Sequence, residues 1–150
     1  AGDDDSPHRA QNDGKLIAAQ ARHDVAFAHR AARVLDAFTL RPWVIERVHQ
    51  WRAQGYITGI LSDQMHWLDW LDERDRFFNA FDHVFNSYHM GKGKRDPTLF
   101  GDITRQLALS PGEILFVDDL PSNIERAQAA GWQAVLYEDK ASFEEVLEKL

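Results

Sequence analysis

Three places in the chain carry residue types that can act together on a phosphoryl group. Ser62 directly follows the short apolar run Tyr56–Leu61, Asp118 and Asp119 directly follow the run Ile114–Val117, and Lys94 stands just ahead of an Asp96-Pro97 pair. Paired carboxylates at a strand end supply the hard oxygen ligands that Mg²⁺ prefers, while a hydroxyl and an ammonium donate to phosphate oxygens. Lys94 is also suited to keeping an aspartyl nucleophile ionised. Taken singly, each has a plainer explanation, since Asp is also a good cap for a helix opened by Pro121.

Such groups meet only if the elements before them end at one edge. Pro42 suits the first position of a helix carrying Val44, Ile45, Val48 and Trp51, and Gly55 suits its left-handed end. Tyr56–Leu61 then predicts a strand buried on both faces, followed by a Trp-rich helix over 64–73 and a shorter strand over His83–Ser87. Asp96 and Pro97 predict the cap and first residue of a helix through Leu107, and Ser110-Pro111-Gly112 a turn. Ile114–Val117 and Gln133–Tyr137 predict two more strands, separated by a helix from Pro121 to Ala130, with a last helix from about Ser142. Strands alternating with helices over short connections give an α/β fold: a Rossmann-like, three-layer parallel sheet with helices on both faces. In such sheets ligands bind beyond the carboxyl ends of the strands, where Ser62, Lys94, Asp118 and Asp119 fall.

Composition narrows the partners. With 17 Lys+Arg against 24 Asp+Glu, a formal charge of −7 argues against nucleic acid, which needs a concentrated positive surface. No apolar run approaches a bilayer span, so no membrane partner is expected, and a chain without cysteine suits the cytoplasm. Residues 1–14, with four Asp and almost no apolar side chain, predict a flexible tail. Residues 15–38 carry apolar positions every three or four residues and predict a helical segment.

In order and spacing, the segments ILSDQ with Ser62, GKGKRDPTLF with Lys94 and ILFVDDLPSNIERAQAAGW with Asp118, Asp119 and Asn123 resemble the motifs of the haloacid dehalogenase-like hydrolase superfamily. The resemblance spans roughly residues 40–150. It implies that Ser62 and Lys94 bind the phosphoryl group, with Asp63 beside them in a place often taken by Asn. It further implies that Asp118 and Asp119 hold Mg²⁺ and that Asn123 supports their loop. The paired acid favours the phosphatase branch, acting on a small phosphorylated metabolite through an aspartyl intermediate. It also implies that the 15–38 segment is a remnant of a small helical cap, leaving 39–150 as the hydrolase core.

The family's nucleophile, the first Asp of an Asp-x-Asp motif ending an apolar strand, has no match. Asp3 and Asp5 have the spacing, but only Ala1 and Gly2 precede them. The corresponding strand would lie between those predicted at 56–61 and 114–117, so its lack predicts a gap of roughly 9.6 Å with two unpaired edges. The expectation is a truncated hydrolase, inactive as it stands, whose gap is filled by a strand from another segment or by a homodimer, or closed by direct pairing. The rival expectation is a non-catalytic interaction or regulatory domain that keeps the fold; dehalogenation of a small halo-acid is a third. Trp51, Trp67 and Trp70 suit helix packing better than ligand stacking, and Lys92 and Arg95 suit a solvated loop. His66 and His89 lie near the site loops.

Overall fold

In the computed structural model, which describes Ala32 and residues 35–148, helix α1 (Pro42–Ala53) opens on Pro42 after an extended Arg41. Gly55 closes it at φ +90°, a conformation that costs a residue with a Cβ but not glycine. The tail expected over 1–14 and nearly all of the helical segment expected over 15–38 lie outside the described residues.

Strand β1 (Gly59–Ser62) is followed by α2 (Trp67–Asp75), a 3₁₀ turn at Phe78–Ala80, β2 (His83–Asn86) and a one-turn helix α3 (Ser87–Met90). Then come α4 (Leu99–Leu107), a 3₁₀ turn at Pro111–Glu113, β3 (Leu115–Asp118), α5 (Pro121–Ala129), β4 (Gln133–Leu136) and α6 (Lys140–Leu147). Among the described residues the strands form two parallel pairs. β1 lies on β2 with Gly59 opposite His83 and Ser62 opposite Asn86; β3 lies on β4 with Leu115 opposite Gln133 and Asp118 opposite Leu136. No ladder joins β1 to β3, so of the three outcomes expected for the gap, direct closure is the one not adopted.

β3, β4, the helix between them and the last helix shift by one or two residues from the sequence expectations, and other boundaries differ for local reasons. The strand expected from Tyr56 starts at Gly59, because the Tyr56 N–H donates to the Trp51 carbonyl (3.1 Å) and the Thr58 N–H to the Asp82 carboxylate (2.9 Å), which withdraws both from a ladder. The helix expected from Gln64 starts at Trp67. Ser87 belongs to α3, since the Asn86 side chain accepts from the Tyr88 N–H (3.2 Å) and turns the chain out of the strand. Asp96 caps no α4: it accepts from the Thr98 N–H (2.8 Å) and hydroxyl (2.7 Å), and the helix begins at Leu99.

Helix α4 bridges the two strand pairs. Its Leu99, Phe100 and Ile103 are almost wholly buried, in one cluster with Phe85 of β2, Phe116 of β3, Ile124 and Ala127 of α5, and Trp132. Phe100, Phe116 and Trp132 meet edge to face, with centroids 5.0–6.0 Å apart, and the Trp132 indole N–H donates to Thr104 Oγ1 at 2.8 Å. Each such side chain contributes about 1.5–3 kcal/mol by leaving water. The clustering therefore holds together two halves that no direct β1–β3 ladder joins.

Candidate functional site

The carboxyl ends of β1 and β3 flank a cavity of about 430 Å³, lined by Arg41, Leu61, Lys94, Val117, Asp118, Asp119, Tyr137 and Glu138. Leu61 and Val117 make its apolar part, between the strand pairs. The remaining residues come from segments that enter or leave the elements at that edge.

Two of these residues form a buried ion pair. Lys94 Nζ donates to Asp118 Oδ2 at 2.6 Å, and both residues are less than a tenth exposed. Asp118 is the last residue of β3, so the strand fixes its backbone. Its Oδ1 accepts from the Leu120 N–H (2.9 Å) and from Asn123 Nδ2 (3.0 Å). Asn123, itself buried in the first turn of α5, has its amide oriented by Arg126, which donates to Asn123 Oδ1 at 3.2 Å. Burial alone would raise the Asp118 carboxyl. The hydrogen bonds from Lys94, Asn123 and Leu120, with the Lys94 charge, outweigh burial and hold it below the usual aspartate range.

Lys94 is positioned from the other half of the sheet. Its backbone N–H donates to both oxygens of Asp63, at 2.9 and 3.2 Å, and its ammonium lies 5.5 Å from the centroid of the Phe116 ring. The Asp63 carboxylate sits so close to Gly93 that a Cβ there would be 2.9 Å from Asp63 Oδ1, so a side chain before Lys94 would displace that carboxylate. Ser62 Oγ accepts from the Gln64 N–H at 3.3 Å. The loop after Ser62 is tied to β2 by Asn86, whose Nδ2 donates to the Met65 carbonyl (3.2 Å), and by Ser87, whose hydroxyl donates to the Gln64 carbonyl (3.3 Å).

Of the residues singled out in the sequence, Lys94, Asp118 and Asp119 share the cavity and Asn123 stands behind Asp118. Ser62 and Asp63 close β1 beside it without lining it. His66 and His89 turn elsewhere: His66 packs edge-on against Trp70, with centroids 4.5 Å apart, and His89 Nε2 is 2.7 Å from Asp69 Oδ2. Lys92, expected in a solvated loop, pairs with Asp102 and donates to Thr98 Oγ1. Sequence reasoning missed Arg41, Tyr137 and Glu138. The available signal was positional, since Tyr137-Glu138 follow β4 as Asp119 follows β3.

The donor set suits one kind of metal. Asp118 Oδ1 already accepts two hydrogen bonds and Oδ2 one, which leaves a lone pair on Oδ2, and Asp119 is exposed beside it. Among the described residues no three His, Cys, Asp or Glu side chains are grouped to hold a metal. Two adjoining carboxylates without a full cage fit an ion that takes one or two carboxylates and keeps its waters, as Mg²⁺ does.

Comparison with known proteins agrees with this architecture. The chain is 30% identical over 106 residues to bifunctional epoxide hydrolase 2 of Rattus norvegicus, covering 66% of this chain and 19% of that one. It is 29% identical over 103 residues to enolase-phosphatase E1 of an Enterobacter species, covering 64% and 43%. It thus spans less than half the length of either relative. Its fold matches a haloacid dehalogenase family enzyme of Bacteroides thetaiotaomicron, solved with magnesium and inorganic phosphate, at a TM-score of 0.61 and 21% identity over 69% of this chain and 57% of the other. Residues 3–131 match the haloacid dehalogenase-like hydrolase family, to which this chain therefore belongs.

Proposed function

We propose that the chain carries the core of a Mg²⁺-dependent phosphomonoesterase acting on a small phosphorylated metabolite in the cytoplasm. The observation that supports it best is the buried Lys94–Asp118 pair, with Asp119 beside it, lining the cavity between β1 and β3. Lys94 binds a phosphoryl oxygen, and Ser62, which ends β1 beside the cavity, reaches a second one at its edge. Asp118 and Asp119 hold Mg²⁺, which when bound neutralises charge on the phosphoryl group. Asn123 and the Leu120 N–H keep Asp118 ionised and aimed. Asp63 acts by fixing the backbone of Lys94.

The attacking aspartate belongs to a parallel strand that pairs with the facing edges of β1 and β3, contributed by another segment or a second copy. On this reading the described residues bind Mg²⁺ and phosphate but turn over no ester unaided. Titration of the 150-residue chain with Mg²⁺ and then inorganic phosphate, followed by amide NMR, tests it. Shifts confined to Ser62, Lys94 and Asp118–Asn123 are expected; a folded chain silent at millimolar Mg²⁺ would overturn the metal assignment.

A second reading, a non-catalytic domain that receives a partner's strand, is favoured by the edges of β1 and β3 that no strand pairs with among the described residues. It predicts strand binding with no response to Mg²⁺.

A further inference from the structure

Arg41 plays no part in the phosphoryl site just described, yet it lines the same cavity as Lys94, Asp118 and Asp119. It is the extended residue ahead of Pro42, with φ −96° and ψ 102°, and its side chain makes no capping bond to α1. Its guanidinium carbon instead lies 5.0 Å from the centroid of the Tyr137 ring.

That ring is a fixed platform. The Tyr137 N–H donates to the Asp118 carbonyl at 2.8 Å, extending the β3–β4 ladder by one bond. Tyr137 stacks on Trp43 of α1, with centroids 6.4 Å apart and planes 22° from parallel, and meets Phe143 of α6 at 5.8 Å. A guanidinium lying over such a ring keeps its N–H edge available, and the fixed ring limits the rotamer freedom lost on binding. Its planar fork suits an oxyanion with two oxygens, whereas the ammonium of Lys94 acts as a point charge already paired with Asp118. Asp119 and Glu138 on the same wall repel an anion, so the site admits a second negative group only where a cation offsets them.

We propose that Arg41, held on Tyr137, is a second oxyanion subsite of this cavity and selects phosphomonoesters that carry a carboxylate over those with no second anionic group. The proposal rests on the phosphoryl site assigned above, and its test separates the two. Methylphosphonate and phosphonoacetate, which differ by one carboxylate, are titrated into the full chain with Mg²⁺ by calorimetry. Phosphonoacetate should bind about tenfold more tightly, equivalent to about 1.4 kcal/mol. Arg41→Gln should bring that ratio close to one, Arg41→Lys should restore part of it, and Tyr137→Leu should lower it with Arg41 intact.

Equal binding of the two ligands to the unaltered chain, or a preference that survives Arg41→Gln, would overturn the subsite and leave the phosphoryl reading standing. Failure of both ligands to bind would overturn both. Unchanged amide NMR spectra away from the cavity would establish that each variant is folded.

Discussion

The two strand pairs are alike in topology and unlike in what holds them. The β3–β4 half spends apolar side chains: Phe116, Ile124, Ala127 and Trp132 join α4 in one continuous cluster. The β1–β2 half sends Phe85 into that cluster, with Leu61 packed against it, and its edge is fastened by polar bonds as well. Asp82 accepts from the Thr58 N–H and hydroxyl and pairs with Arg52 at 2.8 Å, while Asn86 and Ser87 tie down the loop after Ser62. Tyr56 and Ile57, ahead of β1, are more than half exposed. The acidic side of the site is therefore built on a packed frame, and Ser62 and Asp63 on a frame of directional bonds. Lys94 belongs to neither, being held by its backbone to Asp63 and by its ammonium to Asp118.

If the packed half sets global stability, Phe100→Ala should have the largest effect, a loss of about 3–5 kcal/mol by chemical denaturation. Phe100 is 2% exposed and touches the aromatic faces of both β3 and the β4 side. A loss comparable to that of an exposed residue such as Tyr56 would show that the halves do not share one core. Lys94→Met should follow, with a loss of about 3 kcal/mol, because it leaves the Asp118 charge buried with only two neutral donors. It should also abolish any phosphate-dependent NMR shift.

Acid should weaken that contrast in a set direction. The folded Asp118 carboxyl is held below its unfolded range, so its contribution is present above that range and is lost as pH falls through the lower, folded value. Asp118→Asn should therefore be less stable than the unaltered chain near neutrality, with the difference shrinking steadily on acidification. A difference independent of pH would mean that the carboxylate charge is not what Lys94 stabilises.

The same division explains what could be seen in the sequence. β3, β4 and the helix between them were legible within a residue or so, because apolar runs bounded by Asp, Pro and Gly leave one packing solution. β1 was not, because Tyr56 and Thr58 are claimed by a helix end and by Asp82, 24 residues on from Thr58. Helix α3 was missed because its cap, Asn86, also completes an apolar run. Lys94, Asp118, Asp119 and Asn123 could be found from their order along the chain. Arg41, Tyr137 and Glu138 could not, since each acquires a role only from neighbours that folding brings to the same edge.

A milder loss in thermal stability is expected from Gly93→Ala, which would push Asp63 off the Lys94 N–H; its effect on Mg²⁺- and phosphate-induced shifts should exceed its effect on stability. The smallest global effect should come from Asp82→Asn. The Asp82 carboxyl is lowered first by the Thr58 N–H, against the desolvation that raises it, and then by the Thr58 hydroxyl and Arg52. Asparagine keeps an acceptor for the buried Thr58, and the Arg52–Asp82 ion pair that it weakens is about a third exposed, where solvent takes over much of a lost interaction. Hydrogen exchange is the measurement that can see the change. Exchange should accelerate at Thr58, Asp82 and His83, whose N–H groups depend on this corner, while Phe116, Val117 and Ala134 keep their protection. Equal acceleration in β3 and β4 would mean that the two halves unfold together, and that polar and apolar fastening do not divide the molecule as its contacts imply.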